Sequence, residues 1–256
     1  MIKYIILLFF SIPTLIVAEH STLEVGIAYK EHLGKFIPLD LRFEDSESNT
    51  RTLKDIINKP TVLSLVYYHC PGICSPLLTS LAELVDSTDK ILGKDYQLLT
   101  ISFDPSETSE LAAKWKKSYL DGMERKINPK DWMFVVSDST NIAKITNSVG
   151  FKYKRDGDND FLHPGALIMI SEKGEIIRYL LGTNYDLFSF NMAISEMNNH
   201  LSSSLISKFQ LFIYSYDPQL NKYVFNFVRV AVTLLILLVV SIFFTIYIKG
   251  KKKTNI

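Results

Sequence analysis

The chain holds two cysteines, and both fall in one decapeptide, Tyr67-Tyr68-His69-Cys70-Pro71-Gly72-Ile73-Cys74-Ser75-Pro76. The thiols lie four residues apart, directly after an apolar run and at the mouth of a helix. A helix N-terminus offers unpaired N–H groups and partial positive charge, which lower a thiol pKa and favour thiolate. Thiolate is the form that attacks disulfides and also the form that binds metal. If Cys74 begins the helix and Cys70 lies on the loop above it, both sulfurs face one point. A plain structural disulfide is the competing reading. A loop this short removes little unfolded-chain entropy, so such a bridge would add little to a domain of this size. Reactivity explains the pair better.

A third group follows from topology. Functional residues of an open α/β sheet gather beyond the carboxyl ends of its parallel strands. Cys70 comes just after an apolar strand at 61–67, and Asp104-Pro105 just after another at 96–102. If 166–170 runs antiparallel to them, the residues before it, Phe161-Leu162-His163-Pro164, reach the same edge. His163 is thereby projected toward the two thiols. Two thiolates and one imidazole make a soft, compact site that suits copper(I), and copper(II) with a further weak ligand. Zinc usually takes four ligands in a closed site, and no second Cys/His cluster supplies the fourth. His69 ranks behind His163, because adjacent side chains rarely converge without strain. Asp104 has two readings of equal weight: a group that orients the site from behind its ligands, or a cap on the turn before the next helix.

These residues need a scaffold, and the hydrophobic pattern predicts one. Residues 61–67, 96–102 and 132–136 read as buried strands, the first as a nearly continuous apolar run. Between them, Pro76 opens a helix with Leu77, Leu78, Leu81, Leu84 and Val85 on one stripe. Thr108 or Ser109 caps the next, with Glu107 and Glu110 near its positive end. Asp138 or Ser139 caps a third, which Gly150 ends. Strands at 166–170 and 176–181 read as a hairpin, followed by a helix whose inner face carries Leu187, Phe190, Ile194, Met197 and Leu201. The order β-α-β-α-β-α-β-β-α is that of an α/β, thioredoxin-like mixed sheet flanked by helices, with one inserted strand–helix unit. Residues 24–57 supply a preceding extended piece.

Both ends point to a membrane. Residues 1–18 read as a signal peptide: Lys3, an apolar run to Val17, then the small Ala18. Residues 19–204 form the domain, and 205–227 read as an aromatic membrane-proximal hairpin, with Phe209–Tyr216 and Tyr223–Phe227 as its arms. The uncharged stretch 230–248 lies within a transmembrane helix at 228–249. Lys249, with Lys251, Lys252 and Lys253 in the tail 250–256, places that end in the cytoplasm. The domain then lies outside, at a bacterial cytoplasmic membrane. The formal net charge of +1, with scattered Lys and Arg, leaves no footprint for nucleic acid.

The sequence resembles the Sco/SenC family of copper chaperones for cytochrome c oxidase assembly. The resemblance rests on Tyr68-His69-Cys70-Pro71 with Cys74, on Ser102-Phe103-Asp104-Pro105, and on His163 ahead of the hairpin, and it covers roughly residues 35–200. It implies a thioredoxin fold with copper held by Cys70, Cys74 and His163. It also implies delivery of copper to the dinuclear site of oxidase subunit II, or reduction of that site's cysteines, with another periplasmic copper chaperone or a thiol reductant as further partner. Gly72 and Ser75 stand where the family commonly has an acidic residue and a proline, and the C-terminal span replaces the usual N-terminal anchor. A metal-free thiol–disulfide oxidoreductase, or a peroxide-handling enzyme, would use the same cysteines. A structural scaffold would need neither.

Overall fold

The computed structural model describes residues 28–157, 160–199 and 205–253. The signal-peptide reading at 1–18, and Leu201, lie outside them. The elements begin with β1 (Ala28–Tyr29), β2 (Arg42–Asp45), β3 (Thr50–Thr52) and α1 (Leu53–Ile56). Then come β4 (Thr61–Val66), α2 (Cys74–Ser87), β5 (Gln97–Ser102), α3 (Ser109–Gly122), β6 (Trp132–Val136) and α4 (Ser139–Ser148). Short strands β7 (Phe151–Lys152), β8 (Lys154–Asp156) and β9 (Asp160–Leu162) precede β10 (Ala166–Ile170), β11 (Ile176–Leu181) and α5 (Leu187–Asn199). The chain continues through α6 (Leu205–Ile213), β12 (Tyr214–Asp217), β13 (Lys222–Phe225) and α7 (Phe227–Lys253).

One seven-stranded sheet, ordered β11-β10-β4-β5-β6-β2-β3, carries the fold. β4, β5 and β6 are parallel, while β10 runs antiparallel to β4. Every residue of β4, β5 and β10 is buried, as apolar runs sealed on both faces require. The predicted order is therefore present as β4-α2-β5-α3-β6-α4-β10-β11-α5. The caps agree too: Thr108 Oγ1 accepts from Leu111 N–H, and Asp138 accepts from the N–H groups of Thr140 and Asn141. Gly150 closes α4 at φ +64°, where a Cβ would sit 1.8 Å from the Lys30 carbonyl oxygen, so only glycine fits.

α2 begins at Cys74, as the converging sulfurs require, with Pro76 in its first turn, where its missing N–H has no partner to lose. Three local details differ from expectation. Leu187 is exposed at the start of α5, while Phe190, Ile194 and Met197 are fully buried. An unpredicted hairpin, β8–β9, stands ahead of β10; its Lys154-Arg155-Asp156 arm is exposed and has no apolar alternation to announce a strand. Phe209–Ile213, expected in a strand, belongs to helix α6, and the hairpin is confined to β12–β13. A short apolar run has no period that separates helix from strand. Beyond the hairpin, Phe227–Thr245 of α7 is long and apolar enough to cross a membrane, and none of its apolar stretch is buried among the described residues.

Candidate metal centre

Strands β4 and β5 end at one edge of the sheet, and antiparallel β10 begins there, with Leu167 paired to Ser64. After β4 the chain turns, Cys70 N–H donating to the Tyr67 carbonyl at 3.3 Å, and enters α2 at Cys74. Cys70 is half-buried and Cys74 wholly buried, both as free thiols. His163, three residues before β10, brings Nε2 to 3.4 Å from Cys74 Sγ and 4.0 Å from Cys70 Sγ. The three ligand atoms all lie within 4.8 Å of one another. Ninety residues of separation are thus closed by the antiparallel return that the strand pattern predicts.

The imidazole is fixed on every side. Its Nδ1 lies 3.2 Å from the Pro164 carbonyl oxygen. A carbonyl only accepts, so this contact places a ring hydrogen on Nδ1 and turns Nε2 to the sulfurs. The rings of Phe103 and Tyr67 meet it edge-on, with centroids at 5.0 and 5.6 Å. Behind it, Gly165 packs against Gly182, whose N–H donates to the Gly165 carbonyl; a Cβ at Gly165 would come within 2.7 Å of the Gly182 oxygen. The Tyr67 hydroxyl donates to Asp160 on β9, which ties the segment delivering His163 to the segment delivering Cys70. That bond holds the Asp160 carboxyl below its usual range, while burial first and Asp160 second push Tyr67 up.

The two thiols are unequal. A hydrogen bond from Cys74, and then one from His163, hold Cys70 far below the ordinary thiol range against the opposing effect of burial. The Gly72 N–H, 3.4 Å from Cys70 Sγ, adds to this. Burial, and then Cys70, push Cys74 well above that range. The reduced pair therefore keeps one thiolate, on the more exposed sulfur, backed by a buried thiol proton.

A buried carboxylate organises the loop from below. Glu107 accepts from the backbone N–H groups of Tyr68 and His69, each at 2.8 Å, and from Ser102 Oγ at 2.5 Å. Its Oε1 also lies 3.0 Å from His69 Nδ1. Two successive N–H groups at the root of the cysteine loop are thus pinned to the end of β5. The sequence marks Glu107 only as a charge favourable to a helix N-terminus. Its partners sit 38 and 39 residues away, and no local pattern signals them. Asp104 Oδ1 accepts from Ser106 N–H and Oγ at 2.9 and 2.7 Å, the contacts its turn reading calls for. His69 has an exposed ring and stands outside the group of three.

Two thiolates and a neutral imidazole so grouped can hold one soft metal ion. Comparisons with known proteins agree with this chemistry. The sequence model of the SCO1/SenC family matches residues 34–196. A provisionally named electron transfer protein from Aquifex aeolicus VF5 is 30% identical, with 65% of this chain and 95% of that one covered, at a TM-score of 0.59. Copper-bound ScoI of Arabidopsis thaliana (21% identity, 62% and 96% covered, TM-score 0.53) has the same fold. So does BsSco, described as a member of the Sco family of cytochrome c oxidase assembly proteins (12%, 67% and 99%, TM-score 0.52). No curated protein matches the chain.

Proposed function

Because this chain belongs to the SCO1/SenC family, we propose that it is a copper chaperone for cytochrome c oxidase assembly, with Cys70, Cys74 and His163 as the copper ligands. Copper is its cargo, and its client is the dinuclear copper site of oxidase subunit II. One observation carries the reading: two sulfurs and one Nε2 lie within 4.8 Å of one another at the edge where β4 ends and β10 begins. The burial gradient gives a direction to transfer. Cys74 and His163 lie inside while Cys70 is half-exposed, so a client thiolate meets the metal from the Cys70 side and displaces that sulfur first. The domain stands outside a bacterial cytoplasmic membrane, exported by residues 1–18 and held by α7, with the lysines after the span facing the cytoplasm.

The unequal thiols support a second reading, metal-free dithiol exchange. Cys70 thiolate attacks a client disulfide, one client sulfur leaves as thiolate, and Cys74 then displaces the other and closes an intramolecular disulfide. Reduction of the client's copper-site cysteines would need this step.

Copper(I) titration of the reduced, detergent-solubilised chain against a chromophoric competitor separates the two. About one copper per chain is expected. His163→Ala should abolish tight binding while leaving dithiol exchange nearly intact. Copper binding that survives Cys70→Ser and Cys74→Ser sinks the chaperone assignment.

A further inference from the structure

We infer that α6 and the β12–β13 hairpin form a collar that seats in the lipid interface around the exit of α7 and locks the copper-site domain to the span as one body. This rests on the reading of α7 as a membrane helix.

Consider the inward face first. Tyr223 on β13 is buried; its N–H donates to Ser189 Oγ at 3.0 Å and its hydroxyl to Glu196 on α5. Glu196 also holds Arg178 of β11 through two bonds, at 3.0 and 2.6 Å. The Arg178 guanidinium lies 4.9 Å from the ring centroid of Tyr216, the cross-strand partner of Tyr223. Sheet, helix and hairpin thus share one partly buried charge cluster.

The link to the span is equally direct. Asn226 N–H donates to the Ile213 carbonyl at 2.8 Å, closing the base of the hairpin, and Asn226 Oδ1 accepts from Arg229 N–H at the start of α7. The Arg229 guanidinium donates to the Leu211 and Phe212 carbonyls at 3.4 and 3.0 Å, so a cation on α7 satisfies the C-terminus of α6. No flexible linker separates hairpin from span: one residue, Asn226, lies between β13 and α7.

The outward face is the opposite in character. Phe209 and Phe212, three residues apart on one face of α6, are exposed, as are Phe225 and Phe227 at the hairpin base. Leu211 packs toward the core instead. Four exposed phenylalanines directly beside the first turn of a lipid-facing helix continue its apolar surface, and aromatic rings at that level sit among headgroups. That continuity identifies the occupant as the phospholipid interface.

The test reconstitutes the full chain in phosphatidylcholine vesicles, with bromine on the acyl chains either near the ester or at the tail end. Trp115 and Trp132 of the domain give the baseline in wild type. Phe209→Trp and Phe225→Trp should each be quenched at least about twofold more than that baseline, and more by ester-proximal than by tail-end bromine. A chain that floats with the vesicles while the new tryptophans are quenched no more than the native pair overturns the collar and leaves the span standing. A chain that carbonate strips from the vesicles overturns both. For the lock, Glu196→Gln with Tyr223→Phe should speed amide exchange across 214–225 about tenfold. Unchanged exchange would show that the cluster does not fasten the hairpin.

Discussion

The two ends of the domain are built as inverses. At the sheet edge, apolar rings back soft ligand atoms: Phe103 and Tyr67 meet one imidazole edge-on beside two sulfurs, of which Cys70 is half-exposed. At the collar, a charged cluster on the inside holds apolar rings toward the outside: Arg178, Glu196 and Tyr223 fasten a hairpin whose free side is phenylalanine. A reactive group must not be consumed by its own support, and a docking surface must not be buried in it.

The sharpest way to break this comparison is at the ligands. Loss of a group behind a metal ligand costs roughly 10–100-fold in affinity, so Cys70→Ser, Cys74→Ser or His163→Ala should each weaken copper(I) by more than about 100-fold. Competitive titration checks it, and the collar's vesicle contacts should be unmoved. Next comes Glu107→Gln, which keeps the shape but turns an amide donor toward two backbone N–H groups. About 2 kcal/mol of stability should go with the lost bonds, and copper should bind about tenfold more weakly, read by urea unfolding and titration. At the other end, Glu196→Gln should cost about 1–2 kcal/mol, since its pair with Arg178 is only partly screened by solvent. Copper affinity should stay within about twofold of wild type, because the lost bonds share no partner with the ligands. A matching loss of copper would mean that the two ends are not independent.

The smallest effect is a pH dependence. Cys70 is depressed below its unfolded thiol pKa. Its contribution to stability is therefore full above the unfolded value of about 8.5 and is lost as pH falls through the depressed folded value. Cys74, raised, has the reverse sign: its contribution is present below about 8.5 and is lost as pH rises. In alkylation by iodoacetamide, an ordinary thiol slows about a hundredfold between about pH 8 and about pH 6, whereas Cys70 should change by less than about threefold. A tenfold fall per pH unit would show that Cys74 and His163 do not stabilise the thiolate.

The site was largely legible because its parts are local or follow from a strand direction. The cysteines announce themselves, and His163 needs only β10 to be antiparallel. Glu107 was not legible, because its role exists only after β5 and the cysteine loop meet across 38 residues. The β8–β9 hairpin hid for a different reason: Lys154, Arg155 and Asp156 bury nothing, so hydrophobic pattern cannot report them. α6 differs from the strand reading because a run of nine mostly apolar residues is too short for length to separate helix from strand.

The packing of Gly165 on Gly182, beneath His163 and beside Pro164, has one more consequence. Proline stiffens the chain on one side, and on the other there is no space for a side chain to shift into. The ordering entropy of that segment is therefore spent when the domain folds, not when metal arrives. A preorganised ligand gains nothing further by closing and loses nothing by release, so cargo can come and go on the timescale of ligand exchange rather than of loop motion. For the copper carrier proposed above, whose task would end only when it lets go, that is a more useful property than tight grip alone.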